Sequence, residues 1–299
     1  LRFVATRAFA DELAARVALR ESQIVLGLDP DPQRLWPVAV AADGEAGGRA
    51  AAAVLAHCRA VIAAAGPACV ACKPQLACFE RLGAPGIAAL HEVVAAAHAA
   101  GLIVIADGKR GDVPVTAAAY AQALAGSTPA PFGPVAGLGA DAFTANPLLG
   151  RDALEPLIAT GAGVFVLVRT SNPGAAELQD VELAAGGAFW ERVARLVDEL
   201  GVPRACGLSD VGAVIGATVP EHLARARELM PSAVFLLPGI GAQGGRVEDL
   251  AAAFAPARAA GLVSASRAIV EAYASDGREP AAAARAEAER LRELAWRLR

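Results

Sequence analysis

The chain has 299 residues, 55% of them hydrophobic and 19% charged, with a formal net charge of −4. That length suits one large α/β domain or two small ones, and the apolar share supplies a sizeable core. A mildly acidic chain with scattered basic residues carries no footprint for nucleic acid and no basic run for a membrane surface.

The first twenty residues, LRFVATRAFADELAARVALR, have the spacing of an amphipathic helix and lack the apolar centre of a secretory signal. Short apolar runs then alternate with alanine-rich helical stretches such as 48–66 and 84–101. The runs are IVLGL (24–28), CVACK (69–73), LIVIAD (102–107), DAFTAN (141–146), GVFVLV (163–168), VGAVIG (211–216), AVFLLP (233–238) and GLVSAS (261–266). Continuously apolar strands separated by helices mean parallel βαβ units. Eight such units predict a (β/α)8 TIM barrel, an α/β fold. The sixth strand has two candidate starts, 205 and 211. A doubly wound open sheet is the alternative, but the glycine fingerprint it carries after the first strand is replaced here by GLDPDP.

Residues 41–48 read as a polar, glycine-rich insertion, and GSTPAPFGPVAG (126–137) as a Pro/Gly loop that is a lid or, by preference, a plain connector. The last twenty residues, begun by Pro280, read as a closing helix. No linker divides the chain, so a single domain over 1–299 is expected, with N-terminal and C-terminal helices around the barrel. No stretch of about 18 continuous apolar residues announces a transmembrane helix.

Five cysteines without a framework pattern predict free thiols and a cytoplasmic location. Cys69 and Cys72 form a C-x-x-C, but neither a second ligand pair nor a helix N-terminus follows, so they read as small hydrophobes of a buried strand. His57, His91 and His98 fall in helical stretches and read as packing or surface residues. Trp36, Trp190 and Trp296 are expected to fill the layer between helices and sheet.

The chemistry gathers where strands end. In a barrel, side chains at the C-terminal ends of the strands line the active site. Those ends supply Asp29, Lys73, Asp107, Lys109 and Asp112, then Arg169 to Asn172, and finally Ser266 and Arg267. Asp107 and Lys109 are two apart, so an extended chain aims both at one face. Buried charges persist only when paired, and an Asp–Lys–Asp array with Lys73 nearby meets that condition. A structural ion-pair network is the competing account. The chain has 27 Lys and Arg together, yet only Lys73 and Lys109 are lysines. Arginine holds its proton too firmly to donate it, whereas an ammonium releases one within a reaction cycle. The glycine-rich PGIGAQGG (238–245), with Gly241 and Gly244, and Arg267 follow strands seven and eight, the usual phosphate site of a barrel. Glycines let backbone N–H groups approach an anion, and Arg267 offers a bidentate pair.

DGKRGD resembles the D-x-K-x-x-D signature of the orotidine 5′-phosphate decarboxylase family. GLDP, CKPQLACFE, TSNPG and PGIGAQGG stand in that family's order, over roughly residues 24–270. The long chain with KPQ and KRGD is similar to the second, bacterial subgroup. The resemblance implies a (β/α)8 homodimer with active sites at the subunit interface, and conversion of orotidine 5′-phosphate to uridine 5′-phosphate without metal or organic cofactor. By motif position Lys109 would protonate C6 as carbon dioxide leaves, and Asp107 would sit near the departing carboxylate. Asp112 and Thr116 would reach the partner subunit's site. Asp29 and Lys73 would bind ribose hydroxyls, Ser171 the pyrimidine, and Gln243 and Arg267 the phosphate. Two departures stand out: Val-Pro-Val-Thr follows Asp112 in place of Ile-Gly-x-Thr, and Ser266 replaces a glycine before Arg267. Two other readings remain in view, a metal-dependent decarboxylase or aldolase acting on a ketose phosphate, and a non-enzymatic barrel that binds a phosphorylated metabolite.

Overall fold

The computed structural model describes residues 7–37, 44–241 and 243–298. Eight parallel strands close a barrel: Ile24–Leu28, Ala71–Pro74, Ile103–Arg110, Ala142–Ala145, Gly163–Arg169, Ser209–Ile215, Ala233–Pro238 and Gly261–Ala265. Each pairs with its neighbours in sequence, and the first closes on the eighth through Ile24 opposite Val263. The strands read as unbroken apolar runs because both their faces are covered. Outward residues such as Leu26, Val104 and Phe143 pack under the helices, while inward ones such as Val25, Ile105 and Leu236 fill the barrel interior. The sixth strand begins at Ser209, between the two starts expected.

The outer layer is mostly α-helical. Helices Ala46–Ala65, Gly83–Ala99, Pro114–Leu124, Arg151–Ile158, Phe189–Leu200 and Glu221–Leu229 follow the first six strands. After the seventh strand comes a 3-10 segment, Val247–Phe254, in place of a full helix. Pro280–Arg297 completes the ring. Glu279 caps it by accepting from Ala282 N at 3.0 Å, and Pro280 opens it with a φ already suited to the first turn. Of the expected insertion at 41–48, positions 41–43 lie outside the described residues and the helix begins at Ala46. The stretch 46–68 is long and apolar enough by composition to cross a bilayer, although it holds no continuous apolar run of that length. Half of it is buried, and Val54, Cys58, Val61 and Ile62 join the core under the helices. The connector 126–137 contains a two-stranded antiparallel hairpin, Ser127–Thr128 with Val135–Ala136.

The N-terminal helix, Phe9–Arg20, plugs the bottom of the barrel; positions 1–6 of the expected helix lie outside the described residues. Phe9 meets Phe165 edge-on at 6.0 Å. A Cβ on Gly163 would come within 2.4 Å of the Phe9 ring, so only glycine admits the plug. Asp210 accepts from Ala10 N at 2.7 Å and from Arg204 Nε at 2.7 Å. Buried polar groups therefore occur at the bottom too, where they hold the helix in place. Trp36 and Trp190 lie in the helix–sheet layer as expected. Trp296 does not: it packs with the bottom cluster, under the Arg258 guanidinium at 4.0 Å.

Candidate active site

A cavity of about 480 Å³ opens at the C-terminal ends of the strands. Its charged floor is built on one carboxylate. Lys73 Nζ donates to Asp107 Oδ2 at 2.5 Å, and Gln75 Nε2 donates to the same oxygen at 3.2 Å. Lys109 Nζ donates to Asp107 Oδ1 at 2.5 Å, and Thr144 Oγ1 donates there at 2.9 Å. An ionised carboxylate offers about four acceptor positions, so Asp107 is saturated. Lys73 and Asp107 are buried, whereas the Lys109 side chain is 44% exposed toward the cavity.

The local backbone explains how these groups meet. Lys73 stands at the end of the second strand, in register with Gly27. A Cβ on Gly27 would approach Ser266 Cβ to 2.6 Å, so glycine lets the first strand pass close to Ser266, the residue that departs from the family's glycine. In the third strand, Ala106 pairs with Phe143 and Arg110 with Ala145. Four steps on one strand thus span two on the other, and a bulge carries Asp107, Gly108 and Lys109. Lys109 sits at φ +50°. Strand alternation therefore does not aim Lys109 at the face of Asp107, contrary to the expectation for an extended chain. The left-handed turn, not strand alternation, brings its ammonium back onto Asp107.

Burial opposes ionisation of Asp107, but the two ammonium groups outweigh it and hold the carboxyl down to about 2. Burial alone would depress Lys73, yet Asp107, and after it Asp29, raise it above the ordinary lysine value. Both shifts point the same way: the pair is ionised at neutral pH.

The anion side of the cavity is less elaborate than the glycine pattern implied. Arg267 and Gln243 line it and are exposed, and the Arg267 guanidinium has no partner among the described residues. Gly241 and Gly244 adopt φ +72° and +90°. Their N–H groups donate within the turn, to Gly245 O at 3.0 Å and Gly241 O at 2.8 Å. These glycines shape the loop and do not present N–H donors to the cavity. The helix behind Arg267 is one turn, Arg267–Val270, so the arginine carries most of the positive charge.

Ser171 lines the cavity next to Gly216, where a Cβ would meet Ser171 Cα at 2.7 Å. Arg169, counted among the polar strand ends, serves the following loop instead. Its Nε and Nη2 clasp Asp180 at 2.7 and 2.8 Å, while Gln179 Oε1 accepts from Thr170 N at 2.8 Å. Asp29 lines the mouth and is exposed. Asp112 and Thr116 stay outside this chain's own cavity. Asp112 Oδ1 accepts from Val113 N at 2.8 Å, and Thr116 is exposed in the first helical turn. Pro114 is the first residue of that helix, so the Val-Pro-Val-Thr departure supplies a favourable helix start.

Sequence reasoning missed Gln75 and Thr144. Their signal was a polar side chain in or just after an otherwise apolar strand. The C-x-x-C is structural: Cys69 and Cys72 are buried, and burial pushes the Cys69 thiol up to about 12. His57 is buried and accepts from Trp36 N through Nδ1 at 3.0 Å. Among the described residues, no three His, Cys, Asp or Glu side chains gather to hold a metal ion.

A closed (β/α)8 barrel with a lysine–aspartate–lysine array and an exposed arginine at one mouth defines a barrel enzyme with an anion-accepting site. Residues 22–286 match the model of the orotidine 5′-phosphate decarboxylase / HUMPS family. The chain is 43% identical over 272 residues to the orotidine 5′-phosphate decarboxylase of Rhodopirellula baltica, covering 89% of each chain. It is also similar to the solved OMP decarboxylase of Leishmania donovani, with a TM-score of 0.74, 32% identity, and coverage of 97% of this chain and 99% of that one. It spans 56% of the longer Leishmania donovani UMP synthase, with 96% of this chain covered, 32% identity and a TM-score of 0.71. The chain belongs to the orotidine 5′-phosphate decarboxylase / HUMPS family.

Proposed function

We propose that this protein is a carboxy-lyase that converts orotidine 5′-phosphate to uridine 5′-phosphate, the closing step of de novo pyrimidine nucleotide synthesis. The observation that carries the reading is the doubly gripped Asp107, with Lys73 and Lys109 each 2.5 Å from it, in one cavity with the exposed Arg267.

Decarboxylation breaks the bond between C6 and the carboxylate carbon and leaves the electron pair on C6. The Lys109 ammonium, the more open of the two, stabilises that charge as it develops and then transfers a proton to C6. The resulting amine regains its proton from solvent, so no cofactor is consumed. Asp107 holds the ammonium in place, and its charge repels a substrate carboxylate seated beside it until carbon dioxide departs. Lys73 and Asp29 take ribose hydroxyls, and Ser171 takes the pyrimidine. Arg267 and Gln243 bind the phosphate, whose binding energy orients the distant base.

Asp112 and Thr116 complete a neighbouring subunit's site in a homodimer. Their place outside this chain's own cavity supports that assignment, as do the exposed Val113 and Val115 beside them. The KPQ and KRGD segments support membership of the longer-chain bacterial subgroup. Five unpaired cysteines fit a cytoplasmic setting.

One assay decides the reaction. Purified protein is mixed with orotidine 5′-phosphate in EDTA, and the loss of substrate absorbance is followed. Steady conversion to uridine 5′-phosphate is the expected result. No conversion, or conversion only when EDTA is left out, overturns the proposal.

A further inference from the structure

We propose that Thr144 is a positioning residue that sets the Lys109 ammonium for proton transfer; the kinetic part of this inference rests on the decarboxylase reading above. Thr144 is 1% exposed and lies on the fourth strand, beside the bulge that carries Asp107 and Lys109. A threonine hydroxyl has one proton to give and lone pairs to receive. Here both capacities are used within the charge array. The hydroxyl donates to Asp107 Oδ1 at 2.9 Å and accepts the Lys109 backbone N–H at 2.8 Å.

The second bond has a specific task. Lys109 is one of two non-glycine residues with positive φ among the described residues, at +50°. L-residues avoid that region, so neighbouring groups must hold it there. The bulge also withdraws the Lys109 N–H from the regular ladder, and a backbone donor in such a place requires an acceptor. The Thr144 hydroxyl is that acceptor. The same oxygen fixes Asp107 Oδ1, the atom that the Lys109 ammonium meets at 2.5 Å. Thr144 therefore ties the backbone and the side-chain partner of Lys109 to one point on a rigid strand. A threonine kept only for packing would be replaced by valine without consequence, because valine matches its shape and lacks only the hydroxyl.

The test compares Thr144→Val with Thr144→Ser. Thr144→Val is expected to lower kcat for orotidine 5′-phosphate by about a hundredfold, the scale for an ångström of misplacement, with KM nearly unchanged. Thr144→Ser, which keeps the hydroxyl, restores kcat. An independent readout comes from the lysine count. Protein labelled with 15N only at lysine gives two backbone amide signals, from Lys73 and Lys109. In Thr144→Val the Lys109 amide should exchange with solvent about tenfold faster, as expected when a hydrogen bond is lost, while the Lys73 amide is unchanged. Wild-type kcat in Thr144→Val overturns the proposal. A fall in kcat without faster Lys109 exchange does so too, as does a serine variant that behaves like valine. Should the valine variant fail to fold, Thr144→Ala enters the same two assays with the same outcomes. A wild-type protein inert toward orotidine 5′-phosphate sinks the decarboxylase reading instead, while amide exchange in the variants still decides whether Thr144 holds Lys109.

Discussion

Lys109 reaches Oδ1 of Asp107 at 2.5 Å from a backbone turned to φ +50°. Lys73 meets the other carboxylate oxygen at the same distance from an ordinary strand end. The two lysines are thus unequal. Lys73 is buried and held above its ordinary value, whereas Lys109 faces the cavity with nearly half its side chain open.

In the proposed mechanism that inequality makes Lys109, the more open of the two, the proton donor. Lys109→Ala should lower kcat by about 10²–10⁴, the usual range for a lost general acid. Lys109→Arg should fail nearly as badly, because it restores charge without a proton that can be given up. Steady-state absorbance assays measure both. An arginine variant with near-native turnover would show that charge alone suffices.

The array also governs acid stability. Asp107 titrates at about 2 in the folded chain, against an ordinary value of 3.8. The folded value is the lower one, so its contribution is complete well above 3.8 and is lost as pH falls through 2. The size is about 2 kcal/mol. Urea unfolding between pH 5 and pH 2 should therefore show a loss of stability that is smaller in Asp107→Asn by about that amount. Equal slopes in the two proteins would mean that the carboxylate is not held by its lysines.

Among the described residues Arg267 has no hydrogen-bond or ion-pair partner, so its removal should weaken substrate binding and leave stability unchanged. Arg267→Ala is expected to lower kcat/KM for orotidine 5′-phosphate by about 10–100-fold, the equivalent of a charge-assisted hydrogen bond pair. The melting temperature should stay within about 1 °C of wild type, as for other unpaired surface groups. Comparison with orotidine, which lacks the phosphate, separates anion binding from other effects. An equal loss with both substrates would assign Arg267 a different task.

Arg227 makes the opposite case. Its guanidinium stacks over Phe235 at 3.8 Å and donates to five carbonyls, those of Met230, Pro231, Ala233, Ala253 and Ala260. These bonds tie the helix after the sixth strand to the seventh strand and to the 3-10 segments Val247–Phe254 and Arg258–Ala260 beyond it. Arg227→Met should destabilise the fold by about 3 kcal/mol, because the methionine matches the stem but leaves buried carbonyls unpaired. Since Arg227 is remote from the cavity, kcat should be unaffected. Chemical unfolding with parallel kinetics checks both halves.

The barrel was legible because its chemistry is local. A strand covered on both faces must be apolar throughout, and eight such runs separated by helical stretches leave few other ways to hide that surface. The charges at the ends of the second and third strands were conspicuous for the same reason, since nothing apolar explains them. The scarcity of lysine singled out Lys73 and Lys109 before any geometry was known. Tertiary structure decided what depends on partners far apart in the chain. The bulge that turns Lys109 arises from the pairing of the third strand with the fourth, and Thr144 enters the site only through that pairing. Gly241 and Gly244 spend their N–H groups inside a turn, Arg169 faces Asp180, and Asp112 lies outside its own cavity. Hydrophobic period is written residue by residue along one segment. Hydrogen-bond direction is set by whichever strand happens to lie alongside, and no single stretch of sequence carries it.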